Sequence, residues 1–368
     1  MQLAGAGFVE QSGNGQGDAK DDWVRSLNFS KVNGMKQILV LGGSGFVGGH
    51  VCEKLVRAGY RVSVATRKAT HARPVMHLPG LTVLECNIHD EAALGRAMAG
   101  MDAVINLVAI LHGSPEAFIQ VHQDLPGKIA RACLKQHVQH LVHLSALGVQ
   151  SDKPEAAPSS YLRSKGVGEA LLADTLGLGA RPGAHPTCGL TLLRPSVIFG
   201  ANDKFLNVFA RLQSVFPVMP LACADARFQP VWVEDVASAV LKSLAQGLAQ
   251  APSLRVYELA GPQVYTLRQL VQFAARCSGI NQGKGRPVLG LPLWAGRLQV
   301  IALKLMPGEP LMSADNLASM QVDNVVHGDH PGLAALGIQA SALEAIGPQY
   351  LVGQAGAKGL LGLRHRHR

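Results

Sequence analysis

The chain has 368 residues, of which 48% are hydrophobic and 16% charged; that is enough apolar side chain for a sizeable core and excludes a wholly disordered protein. Its formal charge of +9 fits an anionic partner, a phosphate-bearing ligand or an anionic membrane surface. With 5% aromatics and no basic-aromatic stripe, nucleic acid is not expected as a partner.

Residues 1–34 are rich in Gly, Asn, Gln and Ser without a period. They read as a disordered extension ahead of Met35, as an upstream start codon would produce. No basic-apolar-small order marks a secretory signal, and no stretch of eighteen uncharged apolar residues marks a spanning helix. The apolar run Gln37 to Leu41 predicts a buried strand, and Val51 to Val56 the start of a helix. Between them Gly42, Gly45 and Gly48 fall as G-x-x-G-x-x-G. A dinucleotide pyrophosphate needs this arrangement. One glycine makes the tight turn, one lets the backbone approach the phosphates, and one lets the helix pack on the strand. The positive end of the helix then faces the anion. A plain strand-turn-helix is the alternative.

Further strands are predicted over 61–66, 81–85, 103–107, 138–145 and 190–193, with helices over 90–99, largely over 118–136, and over 160–176. Asp90 stands near an N-cap. This alternation predicts an α/β fold, a Rossmann-type doubly wound parallel sheet. The expected domains are a nucleotide-binding one over 35–200 and a smaller C-terminal substrate-side lobe over 201–352, with 229–245 packing back on the first. Residues 353–368 read as a flexible basic tail. The six cysteines, at 52, 86, 133, 188, 223 and 277, never approach C-x-x-C spacing. Reduced core thiols of a cytoplasmic protein are expected, and no metal site.

The second strand ends in Thr66-Arg67-Lys68, where an NAD site usually offers an acid to the ribose 2′-hydroxyl. Arg67, helped by Lys68 or Arg73, is instead suited to a 2′-phosphate. NADP(H) is therefore expected over NAD(H), which stays open, as does an ordinary solvated basic turn. Asn87, beside Ile88, has an amide oxygen for the adenine amino group. Asn106 to Ala109 closes the fourth strand with small residues, Val108 and Ala109, along which a cofactor fits. Tyr161 and Lys165 share one helical face at i and i+4. An ammonium near the phenol would lower its pKa toward neutrality. Ser145, at a strand end, is the natural third member, able to bond a substrate carbonyl. A strand-end cap is the bland reading of Ser145, and Lys165 could also serve by bonding the nicotinamide ribose. Asp235 reads as a helix N-cap.

Gly42 to Gly48, Tyr161 to Lys165 and Arg194-Pro195-Ser196-Val197-Ile198-Phe199-Gly200 together resemble the extended and atypical short-chain dehydrogenase/reductase superfamily. More narrowly, the chain resembles the nucleotide-binding accessory subunit family of respiratory complex I and its bacterial relatives. The narrower resemblance rests on His143 to Gly148, Tyr161 to Glu169, Phe228 to Ala237, Glu258 to Pro262 and Asp323 to Val326. It spans roughly Met35 to Leu351. It implies a bound NADP(H) or NAD(H) that need not turn over, with Ser44, Phe46, Val47 and Pro195 joining the cofactor contacts. The chain lacks the Ser-Ser-x-x-Val-Tyr-Gly run of sugar-epimerase relatives. Its stretch from Ser145 to Tyr161 is short, Pro126 interrupts a helix, and His122 stands where such enzymes often place an asparagine.

Leu293 to Met306, taken as a helix, sets Arg297 and Lys304 beside an apolar stripe of Trp294, Leu298, Ile301 and Leu305. A partner subunit of a respiratory complex or the inner face of an anionic membrane suits it; a core helix with snorkelling heads is the rival reading. Three functions follow as expectations: an accessory protein of complex I or quinone metabolism, a freestanding NAD(P)-dependent reductase, epimerase or dehydratase, and a redox-sensing module without turnover.

Overall fold

A computed structural model describes residues 35–179, 185–304 and 313–351, with 300–304 as backbone only. The expectations for 1–34 and 353–368, and for the side chains of Ile301, Lys304 and Leu305, lie outside the described residues. β1 (Gln37–Leu41) leads through the glycine turn to α1 (Phe46–Arg57), then β2 (Arg61–Thr66), β3 (Leu81–Glu85), α2 (Glu91–Met98) and β4 (Ala103–Asn106). α3 (Pro115–Ile119) passes through a π-helical segment (Gln120–Asp124) into α4 (Leu125–Lys135), β5 (His140–Leu144), α5 (Ser160–Thr175), β6 (Gly189–Pro195) and β7 (Ile198–Phe199). Then come α6 (Leu206–Val215), β8 (Met219–Ala222), β9 (Arg227–Phe228), β10 (Val231–Trp232), α7 (Val233–Ala249) and β11 (Leu254–Leu259). β12 (Tyr265–Thr266), α8 (Leu267–Ser278), β13 (Val288–Leu291), α9 (Leu293–Lys304), α10 (Ala314–Ser319) and α11 (Leu343–Leu351) complete the order.

Seven strands form one sheet in the order β11-β6-β5-β4-β1-β2-β3, every neighbouring pair parallel. This is the expected doubly wound architecture. Ile38 to Leu41 are wholly buried, because helices cover both faces of the sheet. α1 and α7 pack on one face; α2, α4 and α5 pack on the other. The chain leaves β1 toward β2 on one side and returns through β4 on the other. The crevice above the carboxyl ends of β1 and β4 is where such sheets bind ligands. A second core, built on Phe199, Leu206, Leu221, Leu270 and Phe273, holds α6, α8 and β8 together. The seventh strand, β11, comes from residues 254–259, and α7 lies against α1, β5 and β6.

The stretch over 118–136 is helical throughout but changes register. Pro126 has no N–H to give to the carbonyl of residue 122. The chain absorbs this with the π turn, and the His122 carbonyl faces Gly168 on α5, where any Cβ would overlap it. Asp90 caps α2 by accepting from the Ala92 N–H (3.0 Å). Asp235 does not cap its own helix: it lies inside α7, which begins after Trp232, and its carboxylate accepts from the Ser341 N–H (2.7 Å) and hydroxyl (3.2 Å).

Candidate functional site

The glycines of the first turn have separable tasks. Gly42 sits at φ +82°, a backbone region that L side chains rarely adopt, and a Cβ there would lie 3.2 Å from the Leu107 carbonyl carbon. A Cβ at Gly48 would overlap the Gly42 carbonyl oxygen, so only glycine lets α1 approach β1 this closely. Gly45 is the N-cap of α1 and is exposed, and no side chain caps the helix. The first-turn N–H groups of Phe46, Val47 and Gly48 are therefore presented as an anion would require. Beside them opens a cleft of about 380 Å³, lined by Ser44, Phe46, His50, Glu53, His77 and Asn202 among others. This cradle fits a dinucleotide pyrophosphate, which a capped helix end would not.

Arg67 follows β2 directly and is exposed, with no hydrogen bond or ion pair among the described residues. Lys68 and Arg73 are exposed beside it. Glu85 of β3 accepts the Ala69 N–H (2.9 Å) instead of guarding a ribose. The Asn87 amide oxygen takes the His89 N–H (3.1 Å). Ile88 and Val108 pack on the core below the crevice, and Ala109 is exposed. Pro195 is buried, its carbonyl accepting from the Leu147 N–H (2.9 Å).

At the chemical end, Ser145 is 5% exposed and its hydroxyl oxygen is buried without a hydrogen-bond partner. Tyr161 stands on α5 with its ring edge-on to His122 (5.4 Å between centroids) and to Phe118 (6.3 Å). Lys165, 1% exposed, donates its ammonium to the Leu144 carbonyl oxygen (2.9 Å). Burial pushes the Tyr161 pKa up to about 12, while burial pulls that of Lys165 down to about 8 against the pull of Glu169. The lysine is turned to the end of β5.

Two histidines that spacing did not single out as interior ones flank this site. The His122 Nδ1–H donates to the Ser164 hydroxyl (2.9 Å), which donates to the Tyr161 carbonyl (2.8 Å), and Nε2 accepts from the Ile110 N–H (3.2 Å). Burial and the nearby Lys165 lower its pKa to about 3, so it is neutral and fully engaged. The Asn106 amide oxygen takes the Val108 N–H (3.1 Å), so its NH₂ donates to Nδ1 of His143 (3.0 Å). Burial beside Lys165 holds His143 well below its usual pKa.

Two distant residues fix the site from outside. Asp315, ahead of the last turns of the chain, accepts the N–H groups of Ser160 (2.6 Å) and Tyr161 (3.0 Å) at the start of α5. Asn324 accepts from the Ser196 hydroxyl (2.6 Å) and the Val197 N–H (3.1 Å), just past β6. Asn324 belongs to the late Asp323-to-Val326 run, which was its only signal; Asp315 carries none. No group of three or more His, Cys, Asp or Glu residues placed to hold a metal occurs among the described residues, nor any helix long and apolar enough to cross a membrane.

The model of the NAD dependent epimerase/dehydratase family matches residues 38–260. A mouse (Mus musculus) protein named NADH dehydrogenase [ubiquinone] 1 alpha subcomplex subunit 9, mitochondrial, is 30% identical over 83% of this chain and 77% of its own length. Among solved structures, the NADPH-dependent quinone oxidoreductase of Escherichia coli complexed with NADPH has a TM-score of 0.65 at 21% identity, covering 85% of this chain and 99% of that one. The UDP-glucose 4-epimerase of Thermus thermophilus in complex with NAD has a TM-score of 0.55 at 21% identity, covering 77% and 99%. At such identities these two show the fold alone. The parallel sheet, the glycine turn at its switch point and the matched span from the first strand to the seventh place the chain in the NAD dependent epimerase/dehydratase family.

Proposed function

We propose that the chain binds NADP(H) across the Gly42–Gly48 turn and acts as an accessory, nucleotide-holding protein of respiratory complex I or of quinone metabolism, peripheral to the inner face of a membrane. The uncapped start of α1 above the tight glycine turn carries the nucleotide part. Arg67, exposed and unpaired on an acid-poor rim, favours the 2′-phosphate form. The accessory part is supported by Lys165, whose ammonium donates to the Leu144 carbonyl, and by Tyr161, whose phenol is held above its ordinary pKa by burial. The similarity to the mouse complex I subunit supports the respiratory setting.

A second reading, a freestanding reductase, is favoured by the Ser145 hydroxyl, which is buried and unbonded at the end of β5. Bound nicotinamide would give or take a hydride there. Ser145 would then donate to a substrate carbonyl, the Tyr161 hydroxyl would supply the proton, and Lys165 would orient the nicotinamide ribose.

Calorimetric titration with NADPH and NADH tests the leading reading. The unmodified protein should prefer NADPH by about one to two decades, the worth of one charge-assisted hydrogen bond. Arg67→Ala should erase most of that difference, and Gly45→Val should lose both nucleotides while keeping its fold. Equal affinities in the unmodified protein would end the NADP assignment. Steady turnover on a small carbonyl compound or quinone, lowered at least about a hundredfold by Tyr161→Phe, would favour the second reading.

A further inference from the structure

We infer that the outer face built from β8, β13 and α9 docks on an anionic phospholipid bilayer. β8 turns Met219 and Leu221 inward, each 4% exposed, so Val218 and Pro220 face out. β13 pairs with it in parallel and sets Leu289, 58% exposed, directly against Pro220. α9 joins the same face, because Gln299 Nε2 donates to the Pro220 carbonyl (3.1 Å). On that helix Trp294 is 67% and Leu298 58% exposed, one turn apart, while Gly296 is buried where a Cβ would lie 2.7 Å from Ala222. The helix therefore docks on β8 by its small residue and shows its large ones to the outside. Phe216, at the end of α6 and two residues before Val218, is exposed as well. Single exposed apolar side chains are ordinary; this many on one face of a β-ribbon and its adjoining helix are not.

Charge selects the occupant. Residues 204–222 carry two basic side chains and residues 267–304 carry six, and neither stretch contains an aspartate or glutamate. A second copy of the chain would bring the same acid-free stretches and the exposed Arg297, and no complementary charge. An anionic headgroup layer is attractive to it, and tryptophan suits the boundary between headgroups and acyl chains. The face carries no nucleotide residue, so the inference rests on the proposed function only for its setting.

The test is co-sedimentation of the full chain, loaded with NADPH, with vesicles of phosphatidylcholine alone or with phosphatidylglycerol added. Pelleting should require the anionic lipid and fall about tenfold when salt is raised, as electrostatic attachment does. The double variant Trp294→Ser with Leu298→Gln changes only exposed side chains. It should weaken pelleting by about tenfold while NADPH affinity stays unchanged, which shows that the fold is kept. Arg297→Gln provides a second, milder variant with the same expected direction. Failure to pellet with anionic vesicles, or pelleting unchanged by the double variant, would overturn the inference while leaving the nucleotide assignment standing. A concentration-dependent dimer abolished by the double variant would also overturn it, assigning the face to a second copy. Retention only on membranes that carry a respiratory complex would overturn it in favour of a protein partner.

Discussion

Arg194 meets Glu169 through both Nε (3.1 Å) and Nη2 (2.5 Å), with side chains 7% and 0% exposed. The guanidinium also donates to the Ser151 hydroxyl (3.2 Å). This fork ties β6 to α5, the helix that carries Tyr161 and Lys165. Removing one partner strands a buried charge, so Arg194→Met should cost about 3–5 kcal/mol, whereas Arg194→Met with Glu169→Leu should cost much less. Urea unfolding of the three proteins reads this, and equal losses in single and double variants would show that the pair is not the cause. Tyr161 behaves differently. Its hydroxyl makes no hydrogen bond among the described residues, while its ring packs on Phe118 and His122. Tyr161→Phe keeps the ring, so melting temperature and NADPH affinity should both stay unchanged. A loss of affinity would place the hydroxyl on the nucleotide and not at the substrate.

At the scale of elements, the start of α5 depends on a carboxylate 155 residues away along the chain. Ser159 caps the helix locally by accepting the Leu162 N–H (3.2 Å), and Asp315 takes the two N–H groups between. A negative charge here also opposes the positive helix end. Asp315→Ala should destabilise the protein by about 1 kcal/mol, with Asp315→Asn between the two, read by chemical denaturation. An unchanged midpoint in Asp315→Ala would mean that water serves those N–H groups equally well. This cap marks the limit of what was legible beforehand. β1, β4, β5 and β6 could be read because strands buried on both faces are largely apolar runs, β2 and the half-buried edge strand β3 from their β-branched residues, and the glycine turn because its backbone demands leave few residue choices. Asp315, Asn324 and the Lys165–Leu144 bond could not be read. Each depends on where a distant segment or a flexible side chain comes to rest, and neighbouring residues carry no trace of it. Two-residue strands such as β9, β10 and β12 escaped for the same reason, since tertiary packing alone makes them strands.

At the scale of the whole molecule, three histidines lie inside the sheet and its helices as neutral rings. His140 is wholly buried, donates or accepts with the Thr191 hydroxyl (2.9 Å), and rests against Gly189 and Gly247, where a Cβ would strike its ring. Burial, aided by Arg255, lowers its pKa to about 4; burial with Lys165 nearby lowers that of His122 to about 3 and holds His143 well below the usual value. In each case the folded pKa lies below that of the unfolded chain, near 6.5. Above pH 6.5 neither state binds the proton, and stability is unaffected by these groups. As pH falls below 6.5 the unfolded chain takes up protons that the folded chain refuses, so stability is lost through the window from about 6.5 down to about 4 and 3. Each refused proton contributes a slope of about 1.4 kcal/mol per pH unit, so three acting together would exhaust the stability of an ordinary domain within a few pH units. Glu234, held down to about 2 by His50 and Lys54 against its burial, adds a loss of the same sign once pH passes below the ordinary carboxylate range. The urea midpoint should therefore be level from pH 8 to about 7 and fall steeply below 6.5. In His140→Gln the fall should begin from a lower midpoint but be less steep, because one titrating ring is gone. A midpoint that holds level down to pH 5 would show that these rings take up their protons within the folded protein.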